Sequence, residues 1–168
     1  MDINVLPHYD AGDNPTGCCP RFNPEGWEGR NLHFRDKRFL RATSRSIVHV
    51  PVNIGRVFER VDRRVTRAHG WDPDDIIVLS RDLSPWETEH LFAVSRDIPG
   101  EEMVTLSGDF ITHVFEGPYG AARNWVPELE RMVLAKGLTP KTIYFFYTTC
   151  PDCAKVYGRN YVVGVVEV

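Results

Sequence analysis

Residues 46–70 read SIVHVPVNIGRVFERVDRRVTRAHG, and the apolar period changes partway through. Strand-like residues begin near Leu32, and Ser46 Ile47 Val48 His49 Val50 is a short extended run that Pro51 stops. Beyond it, Ile54, Val57, Phe58, Val61, Val65 and Ala68 recur at three- and four-residue steps with Arg and Glu between them. That spacing predicts an amphipathic helix closed at Gly70. After the turn at Asp72 Pro73 come two expected strands, Ile76 to Leu79 and Glu89 to Val94, with Trp86 in a polar loop between them.

The second half repeats this order. Ile111 Thr112 His113 Val114 matches Ile47 Val48 His49 Val50, and Leu134 Ala135 Lys136 Gly137 closes a helical segment as Arg67 Ala68 His69 Gly70 closes the first. Pro127 interrupts the stripe of Ala122, Trp125, Leu129, Met132 and Val133, so either Asn124 is the N-cap or the helix kinks there. Ile143 to Tyr147 and Tyr161 to Val168 supply the last two strands. The expected fold class is therefore α+β: duplicated β-α-β-β units, about 44–96 and 109–168, forming one antiparallel sheet with two helices and a central groove.

A chain of 168 residues fits one domain. Residues 1–30, rich in Pro, Gly, Asn and Asp and without an apolar period, read as an irregular N-terminal arm, and 31–168 as the domain. The formal net charge is -3 and no Lys/Arg tail exists, which speaks against nucleic acid as a partner. No signal-peptide pattern opens the chain, and no apolar run reaches the roughly 20 residues that cross a bilayer. The expectation is a cytoplasmic protein with no membrane partner.

In a reducing compartment four cysteines call for another explanation than structural disulfides. Cys150 and Cys153 form a CxxC, and Cys18 and Cys19 are adjacent in the arm. Four thiolates complete a tetrahedral zinc shell, and a metal would fix an arm that has no core of its own. Because neighbouring residues diverge, His8, His33 or Asp152 could replace one of the arm's pair. A redox role is the second reading, although a thioredoxin-like CxxC opens a helix and this one reads as a loop before the terminal strand. Inert, partly buried thiols are the third.

Gly108 to Tyr119, GDFITHVFEGPY, followed by a helix and a Tyr-rich strand, resembles the GyrI-like effector-binding domain of the SOUL/GyrI superfamily. The resemblance covers roughly residues 44–168 and implies a central pocket for small, often aromatic or cationic molecules. Some members of that family are sensors joined to DNA-binding helices and some relatives hydrolyse reactive small molecules. Two departures stand out. No segment before residue 30 has a helix-turn-helix pattern, and the final strand is apolar up to Glu167, where cation-binding relatives place an acid. The flanks GCCPRF (17–22) and YTTCPDCA (147–154) resemble a bacterial subgroup of GyrI-like proteins, some of which carry the label hydrolase.

Aromatic side chains, Tyr157 beyond the CxxC among them, gather where two such units would meet. Trp86, Tyr119, Trp125, Tyr144, Tyr147 and Tyr161 are the candidate ligand-binding residues, with His49 and His113 at equivalent places in the repeats. Core packing is the ordinary role of any one of them, and the histidines also read as hydrogen-bonded strand residues. Glu87, Glu89 and Glu116 are the acids nearest a groove. No nucleophile elbow, HExxH or phosphate loop is present, so hydrolysis would fall to Glu87 or Glu116 activating water, with Tyr119 or Tyr144 donating to a leaving group. The reading is a stand-alone domain for an aromatic or amphipathic small-molecule ligand, with a zinc held by Cys18, Cys19, Cys150 and Cys153. Its alternatives are a small-molecule hydrolase on the same scaffold, and a protein-interaction module using the arm and the CxxC loop.

Overall fold

The structure is a computed structural model describing residues 2–8 and 10–168; Met1 and Tyr9, both in the arm, lie outside the described residues. In chain order the elements are β1 (Asn31–Ile47), β2 (Val50–Pro51), α1 (Ile54–Arg67), β3 (Val78–Ser84), β4 (Glu87–Ala93), β5 (Glu102–Glu116), α2 (Ala122–Ala135), β6 (Ile143–Tyr147), α3 (Pro151–Tyr157) and β7 (Tyr161–Glu167). A 3-10 turn, Tyr119–Ala121, leads into α2.

The open sheet with two helices expected from the sequence does not form. The strands pair in the order β2-β1-β4-β3-β6-β7-β5 with a further β1–β5 pairing, so six of them close on themselves as a mostly antiparallel β-barrel. The helices number three among the described residues. Strand length is the physical reason. β1 runs for 17 residues and β5 for 15, yet β1 uses only Phe39–Arg45 against β4, and β5 only Phe110–Glu116 against β7. Both strands are thus long enough to take a further neighbour, and the expected groove between two units is withdrawn with the open sheet.

By its internal contacts the chain divides into two compact units, residues 35–107 and residues up to 34 together with 108–168. In the first, β4 lies between β1 and β3, both antiparallel to it. The apolar stripe of α1 places Val61 and Val65 in a core with Leu40, Ala42, Phe92, Val94 and Ile98. In the second, β7 lies between β5 and β6, and α2 buries Leu129 and Val133 against Phe115, Phe145, Val162 and Val166. Burying each such side chain contributes roughly 1.5–3 kcal/mol. At Gly164 of β7 a Cβ would stand 2.7 Å from Leu129 Cδ1, so the helix approaches the strand more closely than any larger residue there allows.

Several local expectations change. The run Ser46–Val50 is the end of β1, a two-residue turn at Val48 and His49, and the start of β2. Both turn residues have positive φ (47° and 66°), which is costly for β-branched valine. The left-handed residue after α1 is His69 (φ 53°) rather than Gly70. Gly70 is required instead for space, because a Cβ there would meet Ile98 Cδ1 at 2.6 Å. The polar loop around Trp86 shrinks to a tight turn between β3 and β4. Asn124 is no N-cap: α2 starts at Ala122 and carries Pro127 inside it. The CxxC, expected in a loop, opens α3: Cys150 is the N-cap, Pro151 follows at the start, and Gly158 (φ 71°) ends the helix.

The arm contains no helix among its described residues. It is held by aromatic packing and backbone hydrogen bonds. Trp27 is fully buried, its ring 5.7 Å from Phe22 and 5.5 Å from Phe146, and its carbonyl accepts from the Thr112 hydroxyl. Gly29 N–H donates to the Thr112 carbonyl (3.1 Å), and Asn4 N–H to the His33 carbonyl (2.8 Å).

Candidate metal centre and adjoining pocket

Gly17, at φ 69°, turns the arm so that Cys18 and Cys19 face the start of α3, which presents Cys150 and Cys153 one helical turn apart. The four Sγ atoms all lie within 4.8 Å of one another, with Cys18 and Cys19 at 3.7 Å. A tetrahedral ion with metal–sulfur bonds of about 2.3 Å sets its sulfurs about 3.8 Å apart, so this cluster needs only small adjustments to receive one. His8, His33 and Asp152 are not members of the group.

Surrounding donors support charge on sulfur. Cys150 N–H donates to Cys19 Sγ (3.4 Å), and the Thr16 hydroxyl lies 3.2 Å from both Cys153 Sγ and Tyr157 Oη. Tyr157 donates to the Cys19 carbonyl, tying α3 to the arm a second time. The Thr16 hydrogen bond brings the buried Cys153 thiol down to about 7. Burial pushes Cys19 up; for Cys18 the bond to Cys19 lowers the value, but desolvation and the neighbouring thiols carry it upward. One negative charge is accommodated and further ones repel each other, a conflict that a divalent cation relieves. The donor set thus fits a thiophilic ion such as zinc, and four protein ligands leave it no open position.

Beside the cluster lies a pocket of about 210 Å³, bounded by Arg21, Phe22, Thr148, Thr149, Tyr157, Arg159 and Tyr161. Of the aromatic residues gathered from the sequence, Tyr157 and Tyr161 line it. Tyr119 packs on Tyr147 at 5.5 Å; its hydroxyl is buried without a hydrogen-bond partner, and burial pushes it up to about 12. Trp125 stacks on Phe115 (4.5 Å, 2°), and Tyr144 is buried within β6, so both serve packing. Trp86 and His49 belong to the 35–107 unit, where Trp86 is 59% exposed and His49 Nδ1 pairs with Asp82 (2.6 Å). His113 Nδ1 pairs with Glu28 (2.7 Å). Glu87 is exposed, Glu89 is buried between Arg41 and Arg81, and Glu116 stands 4.0 Å from Arg159.

Arg21, Thr148, Thr149 and Arg159 were not singled out, although all four flank the cysteine motifs. Another arrangement was also invisible: His90 in β4 is hydrogen-bonded to Ser44 Oγ through Nε2 (2.8 Å) and to Ser80 Oγ through Nδ1 (2.7 Å), one ring nitrogen donating and the other accepting. A serine beside a histidine suggests a nucleophile and its base. Here the imidazole is 1% exposed, under the edge of Phe58, and desolvation lowers it to about 4, so it is a satisfied core group closed to substrate.

These features define a sheet-rich protein with a cysteine centre that joins the N-terminal arm to α3 and a small pocket next to it. The family described as bacterial hydrolase matches residues 9–168, and the chain belongs to that family. No curated protein matches the chain. No helix among the described residues is long and apolar enough to cross a membrane.

Proposed function

We propose that Cys18, Cys19, Cys150 and Cys153 hold one zinc ion that fastens the arm to α3, and that the pocket framed by this clasp binds a small molecule and hydrolyses it. The observation that carries the reading is the sulfur cluster, gathered within 4.8 Å from two segments more than 130 residues apart. A closed shell assigns the ion to holding the fold rather than activating water. Hydrolysis draws its support from the family description. Small-molecule binding draws on the GyrI-like resemblance and on the matching order β1-α1-β3-β4 and β5-α2-β6-β7. Glu116, close to Arg159 at the pocket, is the candidate base.

Elemental analysis of the purified chain tests the metal: about one zinc per chain is expected, lost in Cys19→Ser and Cys150→Ser. Zinc-free wild type that stays empty after supplementation would overturn the site, and recovery of the four sulfurs as disulfides would replace it with the redox reading. For the reaction, a panel of activated esters and amides is the assay. Glu116→Gln is expected to abolish turnover while preserving binding, and unchanged turnover removes Glu116 from that role.

A further inference from the structure

The pocket's lining is one-sided in charge. Arg21 and Arg159 stand on it with Thr148 and Thr149, and no Asp or Glu among the described residues lines it. The chain as a whole carries a formal charge of -3, so this is a local reversal. Arg21 meets no carboxylate among the described residues; its guanidinium lies over the Tyr157 ring, 5.2 Å from the centroid. Arg159 is held by Tyr161 Oη (2.9 Å), with Glu116 only at 4.0 Å. The same lining holds the rings of Phe22 and Tyr161, 5.9 Å apart, as its apolar part.

From this lining we infer that the pocket takes a small organic anion: an aromatic or apolar body against Phe22 and Tyr161, with its oxyanion between Arg21 and Arg159. A planar guanidinium fork matches a carboxylate through paired, charge-assisted hydrogen bonds, and the two apolar rings favour an aryl carboxylate over a bare inorganic anion. A cation, which the GyrI-like resemblance would allow, meets two like charges and no acid in the lining. The inference rests on the proposed clasp, because Arg21 lies two residues beyond Cys19 and Tyr157 four beyond Cys153, so fastening those cysteines also sets where the Arg21–Tyr157 stack stands.

Titration calorimetry with benzoate, phenyl phosphate, benzylamine and inorganic phosphate tests it on the protein as purified, with metal content measured on the same samples. Benzoate is expected to bind saturably and benzylamine not at all. Arg21→Gln and Arg159→Gln should each weaken benzoate by about tenfold while leaving the melting temperature unchanged, since both side chains are exposed. Phenyl phosphate binding as well as benzoate keeps the inference with a broader head group. Absence of benzoate binding to zinc-loaded protein overturns it, as does an Arg21→Gln/Arg159→Gln double variant that binds like wild type, benzylamine binding equally well, or inorganic phosphate alone binding at the site. Arginine-dependent binding in zinc-free protein would keep the anion site and remove the clasp from its explanation, which separates the two failures.

Discussion

His90 shows how one side chain can mislead when only its partners are considered. Two serine hydroxyls on an imidazole suggest catalysis, but the same bonds satisfy a buried base whose charged form has no solvent. Its affinity for a proton falls from about 6.5 to about 4 on folding. The unfolded chain therefore binds more protons between those values, and stability is complete above about pH 6.5 and declines as pH falls toward 4. The contribution at stake is ~3 kcal/mol. Denaturant titrations of wild type and His90→Gln at pH 7 and pH 4.5 check this. Wild type should lose most of that amount between the two, the variant much less, and equal losses would remove His90 as the cause.

At the scale of elements, what the sequence discloses depends on whether a position's role is written in its polarity. The helix α1 was legible because its buried positions, Val61 and Val65, are apolar and most of its exposed ones charged. The long strand β1 was legible only in part, from strand-like residues near Leu32 and again at Ser46. Its inward positions include Lys37, Ser44 and Ser46, all buried, so no clean apolar alternation joins the two stretches. Lys37 is tolerated there because both Asp75 oxygens bind its ammonium, and Asp36 at φ 48° bends the strand. The four cysteines were visible as a set, since thiol chemistry is confined to one residue type, whereas the pocket's arginines and threonines are common residues that only the fold brings together. Helix α3 was hidden by its brevity: the CxxC reads as a loop, yet Pro151 is the helix's first position and Gly158 its left-handed cap. Gly158→Ala, with no atom within 4 Å of the new Cβ, should cost about 1 kcal/mol from backbone conformation alone, measurable by chemical denaturation. Gly164→Ala should cost ~1–3 kcal/mol through overpacking. Leu129→Ala in that background should recover part of the loss in a double-mutant cycle, and strict additivity would reject the contact as its source.

For the molecule as a whole, the clasp makes stability a function of metal supply. A ligand that binds only the folded state stabilises it by RT ln(1 + [L]/Kd), or ~2.7 kcal/mol at a hundredfold excess over Kd. Wild type dialysed against a strong chelator should melt at a lower temperature, with protease cutting first in the arm, and Cys18→Ser/Cys19→Ser should be insensitive to the same treatment. A melting temperature indifferent to chelator in the wild type would leave the cysteines without a part in stability. The arm's attachments also impose an order in time. Trp27 rests against Phe146, and Cys18 and Cys19 against Cys150 and Cys153, so every one of these partners is translated long after the segment it secures. At ~5–20 residues per second, the interval between the first cysteine pair and the second is on the order of ten seconds. Throughout it the growing chain carries a vicinal dithiol and an uncovered tryptophan, so the nascent protein, rather than the finished one, is the form most exposed to oxidants and to chaperones.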